Sequence, residues 1–235
     1  MSTIDGGPGN IVTKNLVLYL DAANIRSYPK TGNTWSDLAG SNNGTLTNGP
    51  TFNSNNGGSI VFDGVDDYVE CGISLDTYIS GNRDFTVEFW MYKNINSDGM
   101  VLSSWDSIPN RKFYIGYIND RARFVASSTG SDFAIAEAGI LTNNTWHHIV
   151  VTRAGVEGNS GVKIYINNIL QILSFNGAFS SITTNSVLYR IGNRIESSSP
   201  FPLLGRISLL KTYNRALTST EVLQNFNATR ARFGI

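Results

Sequence analysis

Apolar and polar residues alternate most cleanly over Phe85–Tyr92 (FTVEFWMY). Phe85, Val87, Phe89 and Met91 fall on one side, and Thr86, Glu88, Trp90 and Tyr92 on the other. A repeat of two is the period of a β-strand, because successive Cβ atoms point to opposite faces. One greasy face and one aromatic face with a carboxylate predict a sheet packed on one side only. Short apolar runs recur at a spacing of roughly ten residues, the rhythm of a sandwich or barrel. They are Asn15–Leu20, Ser59–Asp63, Tyr68–Cys71, Met100–Trp105, Lys112–Ile118, Ala122–Ser127 and Phe133–Ala136. Trp146–Arg153, Val162–Asn167, Ile169–Ser174, Val187–Ile191 and Gly205–Tyr213 follow. The expected class is all-β, with antiparallel strands.

Punctuation refines this. Gly64–Asp67 between two of the runs fits a hairpin turn, and Asn167-Asn168 fits another, since Asn tolerates positive φ. Asp21–Phe52 carries Pro29, Gly32, Gly40, Asn48, Gly49 and Pro50. It reads as an ordered meander pinned by Tyr28, Trp35 and Leu38. The one helical pattern is Thr218–Arg232. Thr218 followed three residues later by Glu221 is a capping box, Val222, Leu223 and Phe226 form an apolar stripe, and Gly234 ends it. There is no internal repeat and no linker, so one domain over 15–235 is expected, preceded by a flexible, glycine-rich segment 1–14.

Composition narrows the function. Lys plus Arg number 18 and Asp plus Glu number 18, and the zero net charge argues against a nucleic-acid partner. Only 15% of residues are charged, against about 25% in ordinary domains. Asn, Ser and Thr supply the polarity instead, as expected for many turns between short strands. Cys71 is the single cysteine, which excludes an intrachain disulfide framework and a cysteine zinc site. No apolar run is long enough to cross a membrane, and Met1–Asn10 has neither a basic nor an apolar signal region. Synthesis in a cytosol is therefore expected, and the sequons at Asn43, Asn143 and Asn227 read as chance.

Several stretches together resemble the laminin-G-like, concanavalin A-like jelly-roll superfamily. They are LVLYLDAAN (16–24), TWSDLAGSNNGTLTNGP (34–50), GGSIVFDGVDDYVE (57–70) and DFTVEFWMY (84–92). TWHHIVVTR (145–153), VKIYINN (162–168) and GRISLLKTYNRALTSTEV (205–222) continue in the same order. The closing run LLKTYNRALTSTEVLQNFNATRARFGI further resembles structural proteins of tailed bacteriophages, marine ones especially. The resemblance implies a two-sheet antiparallel β-sandwich that binds glycans or protein surfaces, in some members with calcium. The expectation is a virion surface protein, a capsid decoration or tail fibre, made in a host cytoplasm and presenting a lectin-like face to a host surface glycan. The alternative is a virion cement protein without sugar binding. Its partners would be other virion proteins or a second copy, docking through Ser2–Ile11 or the terminal helix.

Glycosidases resembling this family carry an E-x-D-x-x-E pattern on one strand, whereas Glu88 has Thr86 and Trp90 beside it. Asp84 lies roughly 13 Å away at ~3.3 Å per residue, too far for an acid pair. No catalytic residue is assigned. His147 and His148 are adjacent, point to opposite faces and cannot share a metal. Aromatic faces for sugar C–H surfaces are offered by Trp90, Trp105, Tyr114 and Tyr117, the candidate ligand-binding set. No cofactor is fixed, but loops rich in Asp and Asn suit calcium, with Asp21 and Asp63 as first ligands and Asp66 and Asp67 nearby. Ser208-Leu209 stands where the resembling family carries an Asp-Glu pair, which weakens the usual metal site. The competing reading of Asp63, Asp66 and Asp67 is a tight turn held by their own carboxylates.

Overall fold

A computed structural model describes residues 10–71, 76–94, 98–155, 157–184, 187–196 and 201–235. The strands that open the chain are β1 (Leu16–Asp21), β2 (Thr34–Trp35), β3 (Gly44–Thr47), β4 (Thr51–Asn53), β5 (Ser59–Asp63) and β6 (Tyr68–Cys71). After a short helix, α1 (Asp76–Ile79), come β7 (Phe85–Lys93), β8 (Gly99–Trp105), β9 (Arg111–Ile118), β10 (Arg121–Ala126) and β11 (Ala134–Ile140). Then follow β12 (Thr145–Arg153), β13 (Val162–Ile166), β14 (Ile169–Leu170), β15 (Ser174–Asn176), β16 (Tyr189–Ile191) and β17 (Leu204–Tyr213). Helix α2 (Ser219–Thr229) and a 3₁₀ turn, Arg230–Phe233, close the chain.

The strands form two antiparallel sheets. Sheet one runs β14-β13-β12-β7-β17-β5-β4, with β1 also on β17, and sheet two runs β15-β11-β10-β9-β8-β16-β6-β3-β2. The alternation in β7 sets the core. Phe85, Val87, Phe89 and Met91 join Phe113, Ile115 and Phe124 from the opposite sheet in one buried cluster. Phe85 meets Phe124 edge-on with ring centroids 5.9 Å apart. Such aromatic packing supplies much of the buried area of a sandwich. Pairing of β7 with β12 is unbroken from Phe85↔Arg153 to Lys93↔Thr145, so every outward residue of β7 lies beside an outward residue of β12.

Three expectations change. Gly64–Asp67 is no hairpin turn: β5 pairs with β4 and β17, while β6 pairs with β3 and β16. It is a corner where the chain switches sheets, an event that leaves the same polar turn signature as a hairpin. The meander holds the short strands β2, β3 and β4, and Tyr28 and Trp35 are buried while Leu38 is half-buried. Of the segment expected to be flexible, 1–9 lie outside the described residues. Within the remainder, Val12 is buried, donates its N–H to Asn225 Oδ1 at 2.7 Å and accepts from the Tyr213 hydroxyl at 3.0 Å.

The largest departure concerns the second face of sheet one. It is covered, not solvated, because α2 and the turn after it lie across its centre. Thr218 and Glu221 form the expected reciprocal capping box, worth about 1 kcal/mol. Trp90 is stacked on Phe233 at 4.0 Å and on Phe226 at 5.9 Å, and its indole N–H donates to Thr229 Oγ1 at 2.8 Å. The helix buries Val222, Asn225, Phe226 and Thr229. Leu223, placed in the apolar stripe by sequence, is 42% exposed, because two adjacent helix positions diverge by ~100° and the buried arc turns toward Asn225. Among the described residues no helix is long and apolar enough to cross a membrane.

Replacing Phe233 with Ala should lower stability in urea unfolding by about 3 kcal/mol, the usual cost of truncating a buried ring. Leu223→Ala should change it by less than about 0.5 kcal/mol, as at other exposed positions. Equal losses at both sites would mean that α2 buries a different face.

Candidate ligand-binding site

On the outer face of sheet two, side chains converge on a cavity. Register builds it. Val125 lies opposite Tyr114 on one side and Ile135 on the other, so these three outward residues form a row across β9, β10 and β11. In β8 the pairing slips between Ser104, opposite Phe113, and Trp105, opposite Arg111. Lys112 is the residue left over, and the bulge turns Arg111 outward beside Trp105, its guanidinium 5.4 Å from the indole ring. Bulges next to binding sites commonly re-aim a side chain in this way. Trp105 and Tyr114 meet edge-on at 5.2 Å. Together with Arg111, Phe133, Arg194 and Phe201 they line a cavity of about 240 Å³.

The turn that carries Phe133 is built around one carboxylate. Asp132 accepts hydrogen bonds from the Ser127 hydroxyl, the Ser128 and Thr129 amides and both of their hydroxyls. Its slight burial would raise the carboxyl, but these donors hold it well below the usual carboxylate range. Gly130 adopts φ +84°, a conformation glycine takes without strain. So braced, the turn presents Phe133 49% exposed, 6.5 Å from Trp105. The Tyr114 phenol is raised by burial against the opposing pull of Arg123 and Arg194, and so stays protonated at neutral pH.

The four aromatic candidates divide. Trp105 and Tyr114 lie at the cavity. Tyr117 is fully buried in the main core, for a reason the strand period contains: positions 114 and 117 differ by an odd number and cannot share a face. Trp90 has no exposed surface, sealed under α2 as described. Neither Trp90 nor Tyr117 can meet a ligand. Arg111, Phe133 and Arg194 were missed. Phe133 was visible as an aromatic just after a Ser/Thr/Gly/Asp turn, but the arginines carried no local signal.

The metal candidates also divide. Both oxygens of Asp21 are held by the Arg232 guanidinium at 3.1 Å, and Arg232 also donates to Ser208 Oγ at 2.8 Å. A cation from the chain's own tail thus occupies Asp21, which corrects its assignment as a first calcium ligand. Asp63, Asp66 and Asp67 have carboxylate oxygens within 4.8 Å of one another, hard donors of the type calcium takes. The same groups hold the corner: Asp63 Oδ1 accepts from Val65 N and Asp67 Oδ2 from Asp63 N. Burial and the neighbouring Asp63 and Asp66 charges raise the Asp67 carboxyl, although the Asp63 amide opposes them.

Glu88, the strand acid weighed above for catalysis, is fully buried beneath α2. Lys211 Nζ lies 2.7 Å and His148 Nε2 3.0 Å from its Oε1, and Asn225 donates to Oε2 at 2.6 Å. Burial alone would raise the carboxyl, but Lys211 and His148 outweigh it and bring it down to about 2. His148 itself is lowered by burial, against the pull of Glu88. Its Nδ1 has no partner, which fits a neutral ring donating from Nε2. Cys71 is likewise inert, its buried thiol pushed up to about 12.

Two antiparallel sheets packed as a sandwich, with one short C-terminal helix, define a concanavalin A-like fold. The chain belongs to the concanavalin A-like lectin/glucanases superfamily, whose Laminin G 3 family model matches residues 62–223. No curated protein sequence matches it. Among solved structures, the receptor binding domain of botulinum neurotoxin C/D mosaic serotype superposes with TM-score 0.69 and 12% identity, covering 92% of this chain and 52% of that one. The binding domain of Paraclostridial Mosquitocidal Protein 1 gives 0.68 and 16%, with the same coverage of 92% and 52%. A Trypanosoma rangeli sialidase mutant displaying trans-sialidase activity gives 0.64 and 16%, covering 96% of this chain and 34% of that one. The chain thus spans about a third to a half of these proteins, and at such identities the likeness is one of fold.

The acid network predicts a pH dependence. The folded Glu88 value lies below the ordinary 4.5, so its contribution is present above pH 4.5 and lost as pH falls toward about 2. The depressed His148 value adds a loss that begins as pH falls below 6.5, where the unfolded ring takes up a proton first. Glu88→Gln should cost about 3 kcal/mol or more at pH 7 by stranding Lys211. Adding Lys211→Met should recover a large part of it and flatten the acid limb below pH 4.5. An unchanged acid limb in chemical denaturation of the double variant would remove Glu88 from this role.

Proposed function

We propose that this protein is a non-catalytic adhesion module that attaches to a host surface glycan through the Trp105–Tyr114–Phe133 cavity. The observation that carries the reading is the cavity's make-up: aromatic surface for sugar C–H faces, with guanidinium and phenol groups for hydroxyls. Membership of a lectin/glucanase superfamily supports it. So does a fold shared with domains described as receptor binding. The fold is equally shared with sialidases. What speaks for adhesion here is the state of Glu88, neutralised by Lys211 and closed off by α2. Asp84, the other acid near that strand, is bound to the Gly155 amide at 2.8 Å.

The proposed setting is the surface of a tailed-phage virion, as a decoration or tail-fibre protein. Its support is the resemblance of residues 209–235 to such proteins. A second reading, a virion cement protein that binds no sugar, is favoured by a different feature. Ile169, Leu170 and Ile172, the last 98% exposed, lie with exposed Ile140 along one side of the sandwich. Apolar surface of that kind suits docking to another protein.

A glycan array on the isolated chain should give binders whose affinity falls about tenfold or more in Trp105→Ala, as for a central aromatic anchor. Phe133→Ala, at a half-exposed position that leaves the core intact, should also weaken them. If no sugar binds while the protein still assembles onto particles, the cement reading replaces the lectin reading. Polysaccharide turnover that is abolished by Glu88→Gln would make the protein an enzyme.

A further inference from the structure

The cavity's charge is not balanced by its own residues. Arg194 faces Glu196 at 3.5 Å, and just beyond the wall Arg123 pairs with Glu137 at 2.6 Å. Arg111 has no carboxylate partner among the described residues. Its side chain rests on the π face of Trp105, and its Nε is buried without a hydrogen-bond partner. Arg194 stands close enough for the like charge of Arg111 to act against its own. A guanidinium left with an unused fork, beside a second cation and over an aromatic ring, is an arrangement that an anion completes. Planar acid groups match that fork with two parallel hydrogen bonds.

We infer that the cavity takes an acidic sugar residue, its carboxylate or sulfate on Arg111 and its ring against Trp105, Tyr114 and Phe133. This rests on the glycan-binding reading and specifies its ligand class. Size agrees with one residue of a chain: about 240 Å³ lies below the roughly 300–1,000 Å³ of pockets that enclose drug-sized ligands. Charge alone would not select a sugar, since Arg111 would hold any small anion. The aromatic walls supply the other half of the recognition, so the anion must be carried on a ring with an apolar C–H face.

The test is an array that prints acidic sugars beside their neutral parents: sialyllactose with lactose, polygalacturonate with its methyl ester, and sulfated with desulfated galactan. At least one acidic member should bind about tenfold or more tighter than its parent, the worth of one charge-assisted bidentate contact. The preference should shrink with added salt and disappear in Arg111→Gln at unchanged melting temperature. Arg111→Lys, which keeps the charge and loses the fork, should retain only part of it. A carboxylated or a sulfated hit distinguishes the two sources of the anion. Hits confined to neutral sugars and indifferent to Arg111→Gln would overturn the acidic ligand and leave glycan binding standing. An array without any hit would remove both.

Discussion

The contact between the Lys211 ammonium and the Glu88 carboxylate, 2.7 Å and wholly out of water, decides how the rest of the molecule is arranged. A carboxylate in mid-sheet is costly to bury unless its charge is matched and its lone pairs filled. Lys211 supplies the charge, while His148 and Asn225 supply the remaining hydrogen bonds. Asn225 belongs to α2, so satisfying Glu88 and docking the helix are one event. The same docking closes Trp90 under Phe226 and Phe233. It also ties Val12 to Asn225, bringing the start of the described chain onto the helix. Sheet one is thereby closed at its centre.

The fold was largely legible, because it rests on local signals. Alternation placed β7, β12 and β17, the Asn167-Asn168 turn has both residues at positive φ, and the Thr218–Glu221 box sits where it was read. Failures came wherever an answer depends on a partner distant in sequence. Glu88 on an aromatic face looked like a solvated strand residue, because Lys211 lies 123 positions further on in the chain. The polar corner 64–67 looked like a hairpin, because nothing local says whether the next strand joins the same sheet. Asp21 looked free for a metal, because Arg232 returns from the far end of the chain. At the cavity, Trp105 and Tyr114 could be singled out as aromatics, but their meeting depends on the pairing of β8 with β9, which slips by one residue after Ser104. Arg111 gains meaning only through that same slip of register.

Fold and function separate here in an instructive way. The sandwich is shared at low identity with toxin binding domains and with sialidases, so the architecture does not choose between holding a sugar and cleaving one. The choice lies in where acids and aromatics sit on the two outer faces. This chain keeps Glu88 on the covered face, neutralised, and sets Trp105, Tyr114 and half-exposed Phe133 with Arg111, Arg194 and Glu196 at the pocket on the other. Most glycosidases set two carboxylic acids about the scissile bond, sialidases with their tyrosine nucleophile being an exception, whereas adhesion needs shape and a few oriented polar groups.

The meeting of residue 10 with the closing helix has a directional consequence. Gln224 donates to the Asn10 carbonyl at 2.7 Å, so residue 10 and α2 lie side by side on the outer side of sheet one. The pocket opens from the outer side of sheet two, with the whole thickness of the sandwich between. A body resting against residue 10 and α2 would therefore hold the molecule from behind, like a lamp on its bracket, with the pocket turned toward the surroundings.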